Sequence, residues 1–464
     1  MTTLTFFGAA GTVTGSRFLL NLAGKNYLID CGLFQGTKDN RLRNWEAFPV
    51  PPSEVERVFL THAHIDHAGY LPRFCHEGFT GAINCTYPTA DLCDILLKDS
   101  AHLQEEDAYW ANKKGFSRHT PALPLYTLED AMAVLSAFAP VYYGEDIPLG
   151  EGVRAKFKDA GHLLGSAFVD IKTTHGRNAK RLLFSGDLGR PADTILRDPV
   201  QVFDVDYLVL ESTYGDRLHD KAAPTAELAR IIRESVDRGG VLVIPAFAVG
   251  RTQTILYAIR ELEERGEIPA LPIYVDSPMA IDATAIFKRR LADQNLKTRI
   301  LRLQGKESLR PRHVQFCDTR EKSKAINKVN ARAIIISSSG MATGGRILHH
   351  LAQRLPEPAN TVLFVGYQAE GTRGRAMLEG SPTVKVHGVQ IPVRAHLERI
   401  AGFSGHANYQ EILAWLLGFN KPPRLTFVVH GEPAASAALA EKIKSHFGWE
   451  TVIPGYGKSF ELDV

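Results

Sequence analysis

Short apolar runs broken by glycine fill the first fifty residues. TLTFFG and SRFLLNLAGKNYLIDCG follow the two-residue rhythm of strands, and Gly24 stands where the second stretch would fold back as a hairpin. LIDCGLFQG ends a strand on Asp30 and then loses its periodicity. ERVFLT reads as another short buried strand, and AGYLPRF beyond it can open a helix. Residues 90–114 carry a helical pattern, and strands return in VRAKFKDAGHLLGSAFVDIKT, RLLFSGDLG and DYLVLEST. As far as about residue 209 the pattern predicts a β-rich region with peripheral helices.

Beyond that point helices and strands alternate, as in a parallel α/β layer. AELARIIRESVDRG leads into GVLVIPAFAVG and then RTQTILYAIRELEERG; RAIIISSSGMATGG precedes RILHHLAQRL, and NTVLFVGYQAEGTRG precedes RAML. From about residue 392 short strands resume, with one amphipathic helix from Tyr409 to Leu417 and the apolar strand RLTFVVHG. The expectation is one domain inserted into another: residues 1–209 and 392–464 forming the outer domain, 210–391 the insert. No Pro-, Gly- or Ser-rich linker, repeat or low-complexity tract interrupts the pattern, and no appended module is visible at either end.

Composition narrows the class. The chain has 464 residues, 44% hydrophobic and 23% charged, enough for two or three domains. A net charge of +3 and a pI near 8.5 do not by themselves announce nucleic acid. A local exception is residues 288–313, with nine Lys or Arg against Asp293 and Glu307: a solvated helix face, or a secondary track for a phosphate backbone. The five cysteines show no C-x-x-C pair or framework spacing, which suits a reducing compartment. Without a leader pattern or an apolar run of membrane-spanning length, the expectation is a cytoplasmic, non-membrane protein.

The densest chemistry lies in THAHIDHAGY. His62, His64, Asp66 and His67 crowd into six residues at a strand-to-helix junction. On a helix His62 and His64 would diverge, but in a loop all four side chains can converge, and imidazoles with a carboxylate suit zinc or a similar borderline ion. Three more ligand-type residues follow an apolar strand beside glycine: His162 in KFKDAGHLLGS, Asp187 in RLLFSGDLG and His430 in VVHGEP. Asp30 in LIDCG shares that context, its task being to orient a ligand or the attacking water from behind.

This set resembles the metallo-β-lactamase superfamily, which implies an α/β fold: an αββα sandwich holding two zinc ions, with manganese the alternative. By the resemblance His62, His64 and His162 hold one ion, Asp66, His67 and His430 the other, and Asp187 bridges them. Asp66 is also placed among the catalytic residues. Two ions about 3.5–4 Å apart can share a water and bring its pKa towards neutrality. DYLVLESTYG, RAHLERIAGFSGHA and VVHGEP are similar to motifs A, B and C of the β-CASP nucleases, implying an inserted parallel-sheet α/β β-CASP domain. Glu211 then stands as the motif A acid, and His396 as the motif B histidine bonded to it that protonates the leaving 3′-oxygen. In that group a histidine at motif C, here His430, marks RNA-cleaving members. GAAGTVTGS, PAFAVGRTQ and SSSGMATGGR also resemble the RNA-processing branch. The chain departs from the common F-S-A-H-x-D pattern at Asn408.

The implied activity is zinc-dependent hydrolysis of single-stranded RNA through a metal-bridging hydroxide, endonucleolytic, with the 5′-to-3′ exonuclease mode of some relatives as a variation. Small residues and helix starts mark Ser338, Ser339, Gly340, Arg346, Arg373 and His406 as candidates for gripping phosphate. Arg251 serves either phosphate or the bracing of the insert. A second copy of the chain is the other candidate partner. A DNA nuclease, a lactam or thioester hydrolase and a catalytically silent RNA scaffold are the alternatives.

Overall fold

The computed structural model describes residues 2–115, 117, 119–174, 179–191, 193–219, 223–290 and 309–464. It divides into two compact units: residues 1–218 with 406–464, and residues 219–405. Residues 291–308 of the basic run lie outside the described residues.

The first unit is built on two seven-stranded sheets. One runs β22 (Ser459–Leu462), β1 (Thr2–Phe6), β2 (Phe18–Leu22), β3 (Lys25–Ile29), β4 (Val55–Phe59), β5 (Ala82–Thr86), β6 (Phe138–Val141). The other runs β21 (Thr451–Val452), β20 (Leu425–Val429), β11 (Tyr207–Glu211), β10 (Lys180–Phe184), β9 (Ala167–Thr173), β8 (Val153–Asp159), β7 (Ile147–Gly150). The hairpin about Gly24 is present: β2 and β3 pair antiparallel across Ala23 and Gly24, both at positive φ, as a two-residue turn requires.

Period-two alternation explains the layering. Phe6, Phe18 and Ile29 from one sheet and Phe157, Leu182, Phe184, Val209 and Phe427 from the other form a single core between the sheets. The alternate residues Phe168, Leu183, Leu208, Leu210 and Val428 face outward, where helices Tyr409–Leu416 and Pro433–Phe447 cover them with Ile412, Trp415, Leu439 and Ile443. Parallel pairing of β20 with β11 joins segments some 220 residues apart in sequence, Tyr207 lying opposite Leu425. The C-terminal ends of β8, β10, β11 and β20 consequently share one edge, since β8 and β10 both run antiparallel to β9.

The second unit holds a six-stranded, all-parallel sheet ordered β14 (Val314–Phe316), β13 (Ile273–Val275), β15 (Ala333–Ser337), β12 (Val241–Pro245), β16 (Thr361–Phe364), β19 (His396–Arg399). A hairpin of β17 (Thr383–Val386) and β18 (Val389–Pro392) accompanies it. From β12 the chain moves to one side of the sheet and from β15 to the other, making a switch point between adjacent strands.

The division falls at 218/219 and 405/406, not at 209/210 and 391/392. Register accounts for the later return: β19 hydrogen-bonds to β16, Thr361 opposite His396, so this segment is an edge strand of the second unit. All five cysteines are free thiols, and among the described residues no helix is long and apolar enough to cross a membrane.

Candidate metal centre

Strand ends in the first unit deliver the candidate ligands. β4 runs into Thr61 and the short helix Ile65–Ala68, so His62 and His64 leave the sheet in loop conformation before Asp66 and His67 enter the helical turn. His162 follows β8, Asp187 follows β10, and His430 follows β20. Two strand-end residues sit at positive φ, Asp30 at 59° and His430 at 48°, a conformation uncommon for residues with a side chain. Gly186 is also left-handed, and a Cβ there would stand 2.7 Å from that of Thr61, so glycine is what lets Asp187 approach the β4 loop.

The side chains gather in two groups, divided as the family resemblance implies. Ligand atoms of His62, His64, His162 and Asp187 lie within 4.8 Å of one another, as do those of Asp66, His67 and His430. Asp187 connects the two groups. Its Oδ2 lies 3.4 Å from Nε2 of both His62 and His162, while its Oδ1 lies 3.3 Å from His67 Nε2 and 3.5 Å from His430 Nδ1. Asp66 Oδ2 lies 3.4 Å from His430 Nε2.

The donor chemistry fits a divalent cation. His62 Nε2 and His162 Nε2 stand 3.0 and 3.3 Å from the same atom, Nδ1 of His64. Each neutral imidazole has one N–H, so ring nitrogens aimed at one another compete for the same protons. Burial drives His62 down to about 3 and His64 down to about 4, keeping their lone pairs unprotonated at neutral pH. Buried Asp187 Oδ1 makes no well-formed hydrogen bond among the described residues, although imidazole nitrogens of His67 and His430 stand 3.3 and 3.5 Å away. A cation shared between the groups would satisfy these atoms together.

Behind the ligands stands a supporting layer. Buried Asp30 contacts His67 Nδ1 at 2.8 Å and accepts from the amide and hydroxyl of Thr61 at 2.7 and 2.8 Å, which turns His67 Nε2 towards the centre. Thr61 Oγ1 lies 3.0 Å from His62 Nδ1, Thr213 Oγ1 3.1 Å from His430 Nδ1, and Ser166 Oγ accepts from the His162 amide at 3.0 Å. The sequence reading missed these three hydroxyls. Only Thr61 had a signal, its place immediately before the cluster.

Glu211 keeps its expected place but has a different histidine beside it. It is fully buried at the end of β11, and its partner is His406, whose Nδ1 lies 3.2 Å from both carboxylate oxygens. The carboxylate also accepts from Leu188 N at 2.6 Å and Thr213 N at 3.3 Å. His396, expected in that place, is an exposed residue at the start of β19, where β-pairing with β16 holds it. Burial disfavours charge on His406, but Glu211 and Asp187 outweigh it and lift the imidazole to about 9. Asn408 caps the helix Tyr409–Leu416, accepting from Gln410 N and Glu411 N in a reciprocal capping box. An amide oxygen serves there as well as a carboxylate, which accounts for the absent acid.

The phosphate candidates in the second unit are disposed differently. Arg346 donates to Asp276 Oδ1, Cys317 O and Asp318 O, and Arg373 donates to the carbonyls of Lys385, Ala342 and Thr343. Both guanidinium groups thus brace loops. Ser339 Oγ accepts from Thr343 N within its own loop, while Ser338 Oγ is buried with no hydrogen-bond partner among the described residues. Gly340 packs so closely on Phe247 that a Cβ would meet its ring at 2.8 Å.

Comparison with known proteins agrees with this geometry. Residues 11–234 match the metallo-beta-lactamase superfamily, 252–377 the Beta-Casp domain, and 390–454 the Zn-dependent metallo-hydrolase RNA specificity domain. Ribonuclease TTHA0252 of Thermus thermophilus is 38% identical over 97% of this chain and 98% of its own length. The chain belongs to the β-CASP group of the metallo-β-lactamase superfamily. Other β-CASP relatives include the RNase J-like protein of Methanocaldococcus jannaschii, 30% identical over 98% of this chain and 99% of that one. The transcription termination factor FttA of the same organism is 30% identical over 97% of this chain and 70% of its own length. A crystal structure of a protein of unknown function from Enterococcus faecalis shares the fold, with a TM-score of 0.55, 13% identity and coverage of 99% and 100%. The fold is thus a metallo-β-lactamase α/β sandwich with a β-CASP insert, and the donor set is that of a metal-dependent hydrolase.

Proposed function

We propose that the chain is a zinc-dependent endoribonuclease acting on single-stranded RNA. The observation that carries this reading is the Asp187 carboxylate, one oxygen turned to each of two donor groups. His62, His64 and His162 would hold one zinc and Asp66, His67 and His430 the second, with Asp187 between them. When bound, the metal pair supplies Lewis acidity, lowering the pKa of water and neutralising charge on the phosphate. The names of the relatives and the RNA specificity domain support RNA as the polymer cleaved.

The protein's own groups supply the rest. Cleavage of the P–O3′ bond leaves an alkoxide that needs a proton. Glu211 holds His406 by Nδ1 and stabilises its charged form, so Nε2 is the nitrogen that delivers the proton. The role given to His396 passes to His406. Attack by water then leaves a 5′-phosphate on the downstream product and a 3′-hydroxyl on the upstream one. Asp30 and Thr61 fix the ring of His67 throughout. In the insert, the loop after β15, which holds Ser338, follows a strand at the switch point and is the candidate for binding the substrate backbone.

One RNA labelled at each end in turn, with matched DNA and a chromogenic lactam beside it, tests the reading. Internal fragments from both labels, abolished by a chelator and restored by zinc, are expected. Turnover of the lactam alone, or of DNA in preference to RNA, would overturn it.

A further inference from the structure

Among the described residues sixteen large hydrophobic side chains are exposed, and six of them fall between residues 103 and 132. Leu103, Tyr109 and Trp110 project from the outer half of the helix Tyr87–Lys114, whose inner residues Ala101 and Ala111 are buried. Leu123, Leu128 and Met132 come from the segment laid along that helix: Asn112 exchanges two hydrogen bonds with Ala122, and Glu105 accepts from Leu128 N. Scattered exposed apolar residues need no explanation, whereas a contiguous patch on one helix and its flank does.

Charge decides what covers it. On the helix, Glu106 precedes the Tyr109–Trp110 pair and Lys113 follows it; the two rings meet edge to face with centroids 5.3 Å apart, and Lys113 Nζ lies 4.9 Å from the Trp110 ring. Residues 102, 106, 109 and 113 share one face of the helix at four- and three-residue spacing, where Glu106 lies 3.7 Å from His102 and Lys113 donates to Tyr109 Oη at 3.3 Å. If a second copy of this helix lies antiparallel about a two-fold axis between Tyr109 and Trp110, residue 106 of each copy meets residue 113 of the other. Both lie about 5 Å along the helix from that axis, at 1.5 Å per residue. The aromatic pairs then stack across the axis, with two Glu–Lys pairs closing the ends. A nucleic-acid backbone suits this face poorly, because Glu105, Glu106 and Asp107 stand together against Lys113 and Lys114.

We infer that the outer half of the helix Tyr87–Lys114, centred on Tyr109 and Trp110, is a self-complementary surface through which two copies of the chain associate. The inference does not depend on what the metal centre hydrolyses.

Sedimentation equilibrium of the full chain tests it. The wild type should associate to twice the 51.2 kDa chain mass, and Trp110→Ala should remain at the single-chain mass. Glu106→Lys and Lys113→Glu alone should each weaken association about 10-fold at low salt, and the double reversal should restore it, as pairwise coupling requires. Unchanged far-UV circular dichroism and unchanged cleavage per chain would exclude misfolding in these surface variants. A wild type that stays at 51.2 kDa at high micromolar concentration overturns the inference. So does a dimer indifferent to Trp110→Ala and Glu106→Lys, or a Trp110→Ala chain that loses RNA affinity at unchanged mass.

Discussion

The strand-end loops of the two units look alike in sequence, glycine-rich and studded with polar groups, yet their side chains are arranged in opposite ways. In the first unit His62, His64, His162 and Asp187 aim ring nitrogens and carboxylate oxygens at one another, an arrangement these groups cannot satisfy among themselves. In the second, Arg346 and Arg373 each donate three hydrogen bonds, to Asp276 and to loop carbonyls. Polar groups in conflict mark a place completed by something else, and polar groups in agreement mark scaffold. Residue type did not separate the two cases. The direction of each lone pair and N–H did.

Substitutions can break this contrast, beginning with the strongest. Asp187→Ala should remove bound zinc, read by elemental analysis, and lower single-turnover RNA cleavage by about 10³-fold or more, because both donor groups lose their common member. Full activity and full metal content in that variant would dismiss the bridging role. His406→Ala should keep the metal and lose about 10²- to 10⁴-fold in cleavage rate, the range for a positioned acid. His396→Ala should stay within about threefold of wild type, as expected of a residue outside the acid pair. Equal losses in these two variants would restore the original assignment.

Smaller effects sharpen the scaffold side. Arg346→Ala leaves the buried Asp276 carboxylate with His350 and Ser323 alone, so urea unfolding should report a loss of about 2 kcal/mol. The folded variant should keep its KM for RNA, whereas a raised KM at unchanged stability would return Arg346 to the substrate. Asn408→Asp should change stability and cleavage little. Asn408→Ala should cost about 1 kcal/mol through the lost cap, again by urea unfolding.

Much of the metal centre was legible because ligation leaves local signatures. The H-x-H-x-D-H spacing needs a loop to converge, and His162, Asp187 and His430 each follow an apolar strand beside glycine, so strand ends sharing one edge bring them together. The αββα layering came from the family resemblance, whereas the Gly24 hairpin was readable from two-residue alternation. The acid pair was not. His396 and His406 lie ten residues apart in one stretch, and only the pairing of β19 with β16 decides which accompanies the second unit and which returns to Glu211. That same ladder moved the later boundary from 391/392 to 405/406. The arginine roles were also hidden, because tight turns turn carbonyls inward and recruit neighbouring guanidinium groups as donors, a demand invisible in a list of residue types.

The parallel ladder between β11 and β20 has a consequence for when activity can begin. His430 becomes available only after the whole intervening insert has been synthesised, and it takes its place only once β20 docks beside a strand made over two hundred residues earlier. A chain that has not yet extended past His430 therefore carries no complete donor set. Assembly of the centre waits on the return of the chain from the insert to the first unit.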